Sequence, residues 1–158
     1  MKKGIFIGSL SLITGCFLGA AGMNKIKENT NGDNKINKFK GYYNILNQWL
    51  KLKQEGNSIE KYFLENGYKT VAVYGMGELG NRLYSELKEL GIDVKYAVDR
   101  NAANIFSDLK LLDKNEPFPY VDVMIITASF AYDEIYKELN KKVDFPIVSL
   151  EEIVYESF

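Results

Sequence analysis

Residues 70–80 read Thr70-Val71-Ala72-Val73-Tyr74-Gly75-Met76-Gly77-Glu78-Leu79-Gly80. The first five are β-branched or apolar without a charge, the composition of a strand buried on both faces. Three glycines follow in the pattern G-x-G-x-x-G, and Leu79, Leu83, Leu87 and Leu90 then recur at helical spacing as far as Gly91. A second short strand, Val94-Lys95-Tyr96-Ala97-Val98, ends on Asp99. Strand, glycine turn, helix, strand and terminal acid stand in the order of a βαβ unit built around a bound phosphate.

Each residue type in the loop has a physical reason. Gly75 permits the tight turn out of the strand, Gly77 lets a phosphate approach bare backbone, and Gly80 lets the helix pack close to the sheet. N–H groups at the helix start, around Met76, Glu78 and Leu79, point at the ligand, and the helix dipole favours its negative charge. The Glu78 carboxylate competes for those same N–H groups. Asp99 stands where it can accept from ribose hydroxyls, and Arg100 beside it can neutralise a phosphate. Because Asp99 would repel a 2′-phosphate, a dinucleotide ligand is expected to be NAD rather than NADP. The competing structural reading is that the glycines only make a tight turn between strand and helix.

Downstream residues complete a Rossmann-like α/β fold. Leu109–Leu112 predicts a short third strand, Val121–Thr127 a fourth, Tyr132–Lys141 a helix, and Pro146–Leu150 a fifth strand. The expected sheet is parallel with order 3-2-1-4-5, spanning residues 68–158, and its switch point lies between the first and fourth strands. Ligands bind at the carboxyl ends of such strands, which places Thr127 and Ser129 opposite the glycine loop. Their hydroxyls can hold a ribose or sugar, or equally cap the next helix.

Ahead of this unit the chain changes character three times. Gly4–Met23 is twenty residues without a charge, about 30 Å as a helix and long enough to cross a bilayer. Three readings share residues 1–23: a retained transmembrane helix, a lipoprotein signal with Cys16 in Ile13-Thr14-Gly15-Cys16, and a secretory signal cut near Gly19–Gly22. The Gly4/Gly8 and Gly15/Gly19 spacings suit close pairing with a membrane helix or with a second copy. Lysines at 25, 27, 35, 38 and 40 outnumber Lys2 and Lys3, so a single-pass anchor would leave the following domain in the cytoplasm. Residues 24–38 are polar and asparagine-rich, a flexible linker. A helical collar is expected over 39–67: Phe39, Tyr42, Tyr43, Leu46, Trp49 and Leu50 recur at helical spacing, Gly56 stops that helix, and Asn57 with Glu60 starts a second. Ile59, Tyr62 and Phe63 line the second helix, which Asn66-Gly67 stops.

Composition narrows the chemistry. The 158 residues carry 20 basic and 21 acidic side chains and no histidine. No broad basic face for nucleic acid follows from this balance, and the usual neutral-pH base and metal ligand is missing. The single cysteine excludes an internal disulfide. Tyr84 and Lys88 have the Tyr-x-x-x-Lys spacing of short-chain dehydrogenases, but they fall on the helix after the glycine loop, the wrong one for that role. Independent catalysis and a metal site are therefore not expected.

The segments VAVYGMGELGNRL, VKYAVDRN, VDVMIITAS and PIVSLEEI, within Lys69–Val154, resemble the small Rossmann domains of bacterial polysaccharide-synthesis proteins, including sugar epimerase/dehydratase relatives. The glycine-rich head resembles the glycine-zipper anchors of the YtxH-like family. The resemblance implies a nucleotide or nucleotide-sugar in the loop, without the catalytic domain of those proteins. The expected function is a membrane-tethered, non-catalytic binding module. The alternatives are an NAD-dependent oxidoreductase fragment that needs a partner, and a scaffold with an empty loop.

Overall fold

The computed structural model describes residues 35–100 and 108–158. The chain divides into two compact units, Met1–Phe39 and Lys40–Phe158. Of the first, residues 35–39 are described and are helical. The second unit is an α/β fold around a five-stranded sheet of order β3-β2-β1-β4-β5, every pairing of which is parallel.

The central strand, β1 (Thr70–Tyr74), explains the topology. Val71 to Tyr74 are all buried, and their side chains alternate between two apolar clusters. Val71 and Val73 belong to one, Ala72 and Tyr74 to the other, so both faces of the sheet are covered. β2 (Asp93–Val98) and β4 (Val123–Ile126) flank β1, while β3 (Leu111–Leu112) and β5 (Ile147–Ser149) form the edges. β3 reaches only Ala97 and Val98 of β2.

Helix α3 (Glu78–Glu89) lies on the face of Val71 and Val73, burying Leu79, Leu83 and Leu87. Leu90 is its C-cap, and Gly91 leaves the helix with φ +71°. The opposite face is covered by α4 (Tyr132–Leu139), whose Leu139 joins the cluster of Ala72 and Tyr74. The helical residues of the second unit before the sheet are α1 (40–54) and α2 (Glu60–Asn66). Both add side chains to the α3 cluster, as does the last helix, α5 (Leu150–Glu156). The collar and the sheet thus share one core.

Several boundaries differ from the sequence reading. Residues 35–38, read there as linker, are helical. The buried face of α1 is Ile45, Trp49 and Leu52, whereas Phe39, Tyr43, Leu46 and Leu50 are exposed. Two apolar stripes run along this stretch, and helical spacing alone does not rank them. At the start of α2 it is Ser58, not Asn57, whose hydroxyl accepts from Glu60 N–H. The third strand is shorter than 109–112: only Leu111 and Leu112 pair in register with β2, although the Lys110 carbonyl accepts the Ala97 N–H at 2.9 Å. The chain after β5 turns at once into α5, with the Ser149 hydroxyl accepting from Glu152 N–H at 2.9 Å. Ser149-Leu150-Glu151-Glu152 is a Ser-x-x-Glu helix start, so Leu150, expected in the strand, is the first residue of the helix.

Among the described residues no helix is long and apolar enough to cross a membrane. The segment 4–23, its glycine spacings and Cys16 lie outside the described residues.

Candidate functional site

The glycine loop leaves β1 at the switch point, between β2 and β4. Gly75 adopts φ +97°, a left-handed conformation that disfavours any side chain. Its N–H donates to Val98 O at 2.8 Å, extending the β2 pairing by one residue. The next N–H, of Met76, donates to Asp99 Oδ2 at 2.7 Å. Asp99, expected as a ribose acceptor, is thus also a brace for the loop. Arg100 beside it is exposed. The Met76 side chain turns inward and is buried in the α3 cluster.

The other two glycines have opposite surroundings. A Cβ at Gly80 would stand 2.0 Å from the Gly75 carbonyl oxygen, so α3 reaches the loop only because Gly80 lacks one. A Cβ at Gly77 would meet nothing within 4 Å. Gly77 is the N-cap of α3 and makes no side-chain cap hydrogen bond. The N–H groups of Glu78 and Leu79 in the first turn have no acceptor within the helix, as at any helix start. Leu79 is buried by its side chain, while Gly77 and Glu78 are exposed. The loop therefore combines Gly75, which makes the turn, Gly80, which admits the helix, and Gly77, which is open beside a partly positive helix end.

Thr127 and Ser129 occupy the opposite wall with different roles. Thr127 is buried, and its hydroxyl donates to Gly75 O at 2.7 Å, with Tyr74 O at 3.2 Å on a longer branch. It fastens the loop to β4. Neither residue caps α4, whose N-cap is Ala131 with no side-chain bond. Ser129 Oγ is buried without a hydrogen-bond partner and would meet a Cβ at Gly41 at 3.5 Å.

This last contact places the beginning of α1 at the crevice, a feature that sequence reasoning missed. Tyr42 packs edge-on against Phe130, centroids 6.2 Å apart. Burial, and then the Glu78 carboxylate, push the Tyr42 phenol above its ordinary value. Gly41 and Tyr42 thus sit against the residues that follow β4, with Tyr42 within reach of the Glu78 carboxylate. No local motif signals this; it follows from the long-range packing of the Ile45/Trp49/Leu52 face.

Tyr84 and Lys88 do not enter the crevice. Both converge on Asp108, the phenol at 2.9 Å and the ammonium at 2.7 Å. The hydrogen bond from Lys88, followed by that from Tyr84, holds the Asp108 carboxyl below its ordinary value. Among the described residues no group of three or more histidine, cysteine, aspartate or glutamate side chains is placed to hold a metal ion.

No family model, curated protein or solved structure matches the chain.

Proposed function

We propose that the Gly75–Gly80 loop binds the phosphate of a nucleotide or nucleotide-sugar, and that the chain is a non-catalytic binding module for it. In this reading residues 4–23 tether the module to the cell membrane, where it serves envelope polysaccharide assembly. The observation that carries the reading is Gly77: an uncapped helix start with space where any side chain would be. Phosphate oxygens fit such a place, because bare N–H groups and the helix dipole replace their hydration. Asp99, at the end of β2, is the acceptor for a ribose hydroxyl.

The position of α1 favours a compact ligand. An extended dinucleotide crosses the switch point and needs the β4 side, where Gly41 and Tyr42 pack against Ser129 and Phe130. A mononucleotide, with or without a sugar, needs only the Gly77 side. A scaffold with an empty loop also has support, since Asp99 and Thr127 already satisfy the loop from within.

Titration calorimetry of the full chain in mild detergent, with UDP, UDP-sugars, CoA and NAD, separates these readings. Saturable binding of a uridine nucleotide, weaker binding of NAD, and loss of both in Gly77→Asp are the expected results. The new carboxylate would take the open N–H groups and repel phosphate. Silence across the panel from a folded chain would leave the scaffold.

A further inference from the structure

Gly41 and Tyr42 of α1 touch both walls of the switch point. On the β4 wall, the Gly41 backbone comes so near that a Cβ on it would stand 3.5 Å from Ser129 Oγ. The Tyr42 ring packs edge-on against Phe130, centroids 6.2 Å apart. On the β1 wall, Tyr42 is partly buried against the cluster that contains Met76 of the loop and Leu79 of α3. The Glu78 carboxylate, in the first residue of α3, also acts on its phenol.

What these two residues cover differs from an ordinary core contact. Among the described residues two buried side-chain polar atoms have no hydrogen-bond partner, and Ser129 Oγ is one of them. A buried hydroxyl in that condition costs stability and is uncommon. Ser129 stands just past the carboxyl end of β4, where a ligand lying across the switch point would supply the partner. Thr127, two residues earlier, shows the contrast: its hydroxyl is taken by Gly75 O and Tyr74 O. Phe130, half exposed, adds an aromatic surface beside the serine. Ser129 and Phe130 thus form a half-site with an unused hydroxyl and a ring, closed over by Gly41 and Tyr42.

We propose that Tyr42 determines the specificity of the glycine-loop site: it closes the Ser129/Phe130 half of the switch point, so that the loop takes a mononucleotide and rejects a dinucleotide. This rests on the nucleotide reading given above and adds to it the residue that sets the length of the ligand. A dinucleotide held by its pyrophosphate at Gly77 and by one ribose at Asp99 must run on past the end of β1 towards β4. There it meets the Tyr42 ring and the Gly41 backbone instead of Ser129. The obstacle is the ring, not its hydroxyl. Selectivity that comes from an obstacle rather than from missing contacts is undone by a single truncation.

Titration calorimetry of the full chain in mild detergent, with UDP and with NAD, tests the proposal. Tyr42→Ala is expected to bind NAD about tenfold or more tightly than the parent does, with its affinity for UDP unchanged. Tyr42→Phe, which keeps the ring, should match the parent on both ligands. Adding Ser129→Ala to Tyr42→Ala should weaken NAD binding about two- to tenfold, the worth of one hydrogen bond. Because Tyr42 is partly buried, Phe130→Ala opens the same half-site from its exposed wall and should shift NAD in the same direction; circular dichroism checks the fold of each variant. UDP binding with NAD still weak in both folded truncations would overturn the filter and leave the nucleotide reading standing. An equal gain for UDP, or NAD bound by the parent as tightly as UDP, would overturn it too. NAD bound by Tyr42→Ala, with neither ligand bound by the parent, would support the filter and end the mononucleotide reading. No binding by parent or variants would overturn both.

Discussion

The Asp99 carboxylate accepts the Met76 N–H at 2.7 Å, tying the end of β2 to the turn that leaves β1. From the other side the Thr127 hydroxyl reaches the Gly75 carbonyl at the same distance. The loop is thus held between its two neighbouring strands before any ligand arrives. A preformed loop lowers the ordering cost of binding, and it makes the two holding residues sensitive places to cut.

Thr127→Val keeps the shape and removes the hydroxyl. The Gly75 carbonyl then loses its buried donor, a cost of about 1–3 kcal/mol. Urea unfolding should show this as a lower midpoint at unchanged slope. Full stability in the variant would mean that water replaces the hydroxyl.

Gly80→Ala and Gly77→Asp should move stability in opposite directions, though both alter the same motif. The new methyl at Gly80 collides with backbone and should cost about 3 kcal/mol, the upper range for forced overpacking. Asp at Gly77 gains an N-cap where glycine had none, for a few tenths of a kcal/mol. Chemical denaturation of the two variants tests the pair, and equal destabilisation would contradict the geometry.

Acid stability should depend on Asp122. Its Oδ2 accepts from the N–H groups of Thr70 at 2.7 Å and Lys69 at 2.8 Å, while its own N–H donates to Thr70 Oγ1 at 3.0 Å. The bond from Thr70 N–H, followed by that from Lys69, holds its carboxyl below the ordinary value. A lowered folded value contributes stability that is present above the ordinary aspartate value of about 4 and is lost as pH falls through the folded one. Melting curves of Asp122→Asn should therefore lose part of the acid dependence of the parent chain.

At the alkaline end Tyr96 plays the opposite part. Burial pushes its phenol up to about 12, and the hydroxyl donates to Pro119 O at 2.7 Å. Folding favours the neutral form, so stability is full below the ordinary tyrosine value of about 10 and falls as pH rises towards about 12. Tyr96→Phe should flatten that decline, read from thermal melts between these limits.

What the sequence made legible followed from local rules that agreed with one another. Val71–Gly80 combines an all-apolar strand, a glycine turn and a leucine-spaced helix, and the order 3-2-1-4-5 follows from chain reversal and handedness. The short edge strand and the Ser149 cap lay within local rules but carried weaker signals. The site was less legible, because two of its features depend on residues far apart in the chain. Nothing near Thr127 says that its hydroxyl faces Gly75, 52 positions earlier. Nothing near Gly41 says that it meets Ser129. Of the face expected over 39–50, Trp49 is buried and Tyr42 partly so, whereas Phe39, Tyr43, Leu46 and Leu50 are exposed and Ile45 and Leu52 fill the core instead.

The brevity of β3 bears on how copies of this chain can meet. Its two residues cover only the last third of β2, and among the described residues no strand lies outside Asp93–Tyr96. A stretch of β2 without a neighbour on its outer side would ordinarily recruit another strand. Here it carries Asp93 and Lys95, ion-paired with each other and exposed, and charges on an edge oppose strand addition. β5, at the other edge, offers only three residues. When the protein is crowded, neither edge among the described residues offers a ready route to fibrillar stacking, and removing Lys95 would open one.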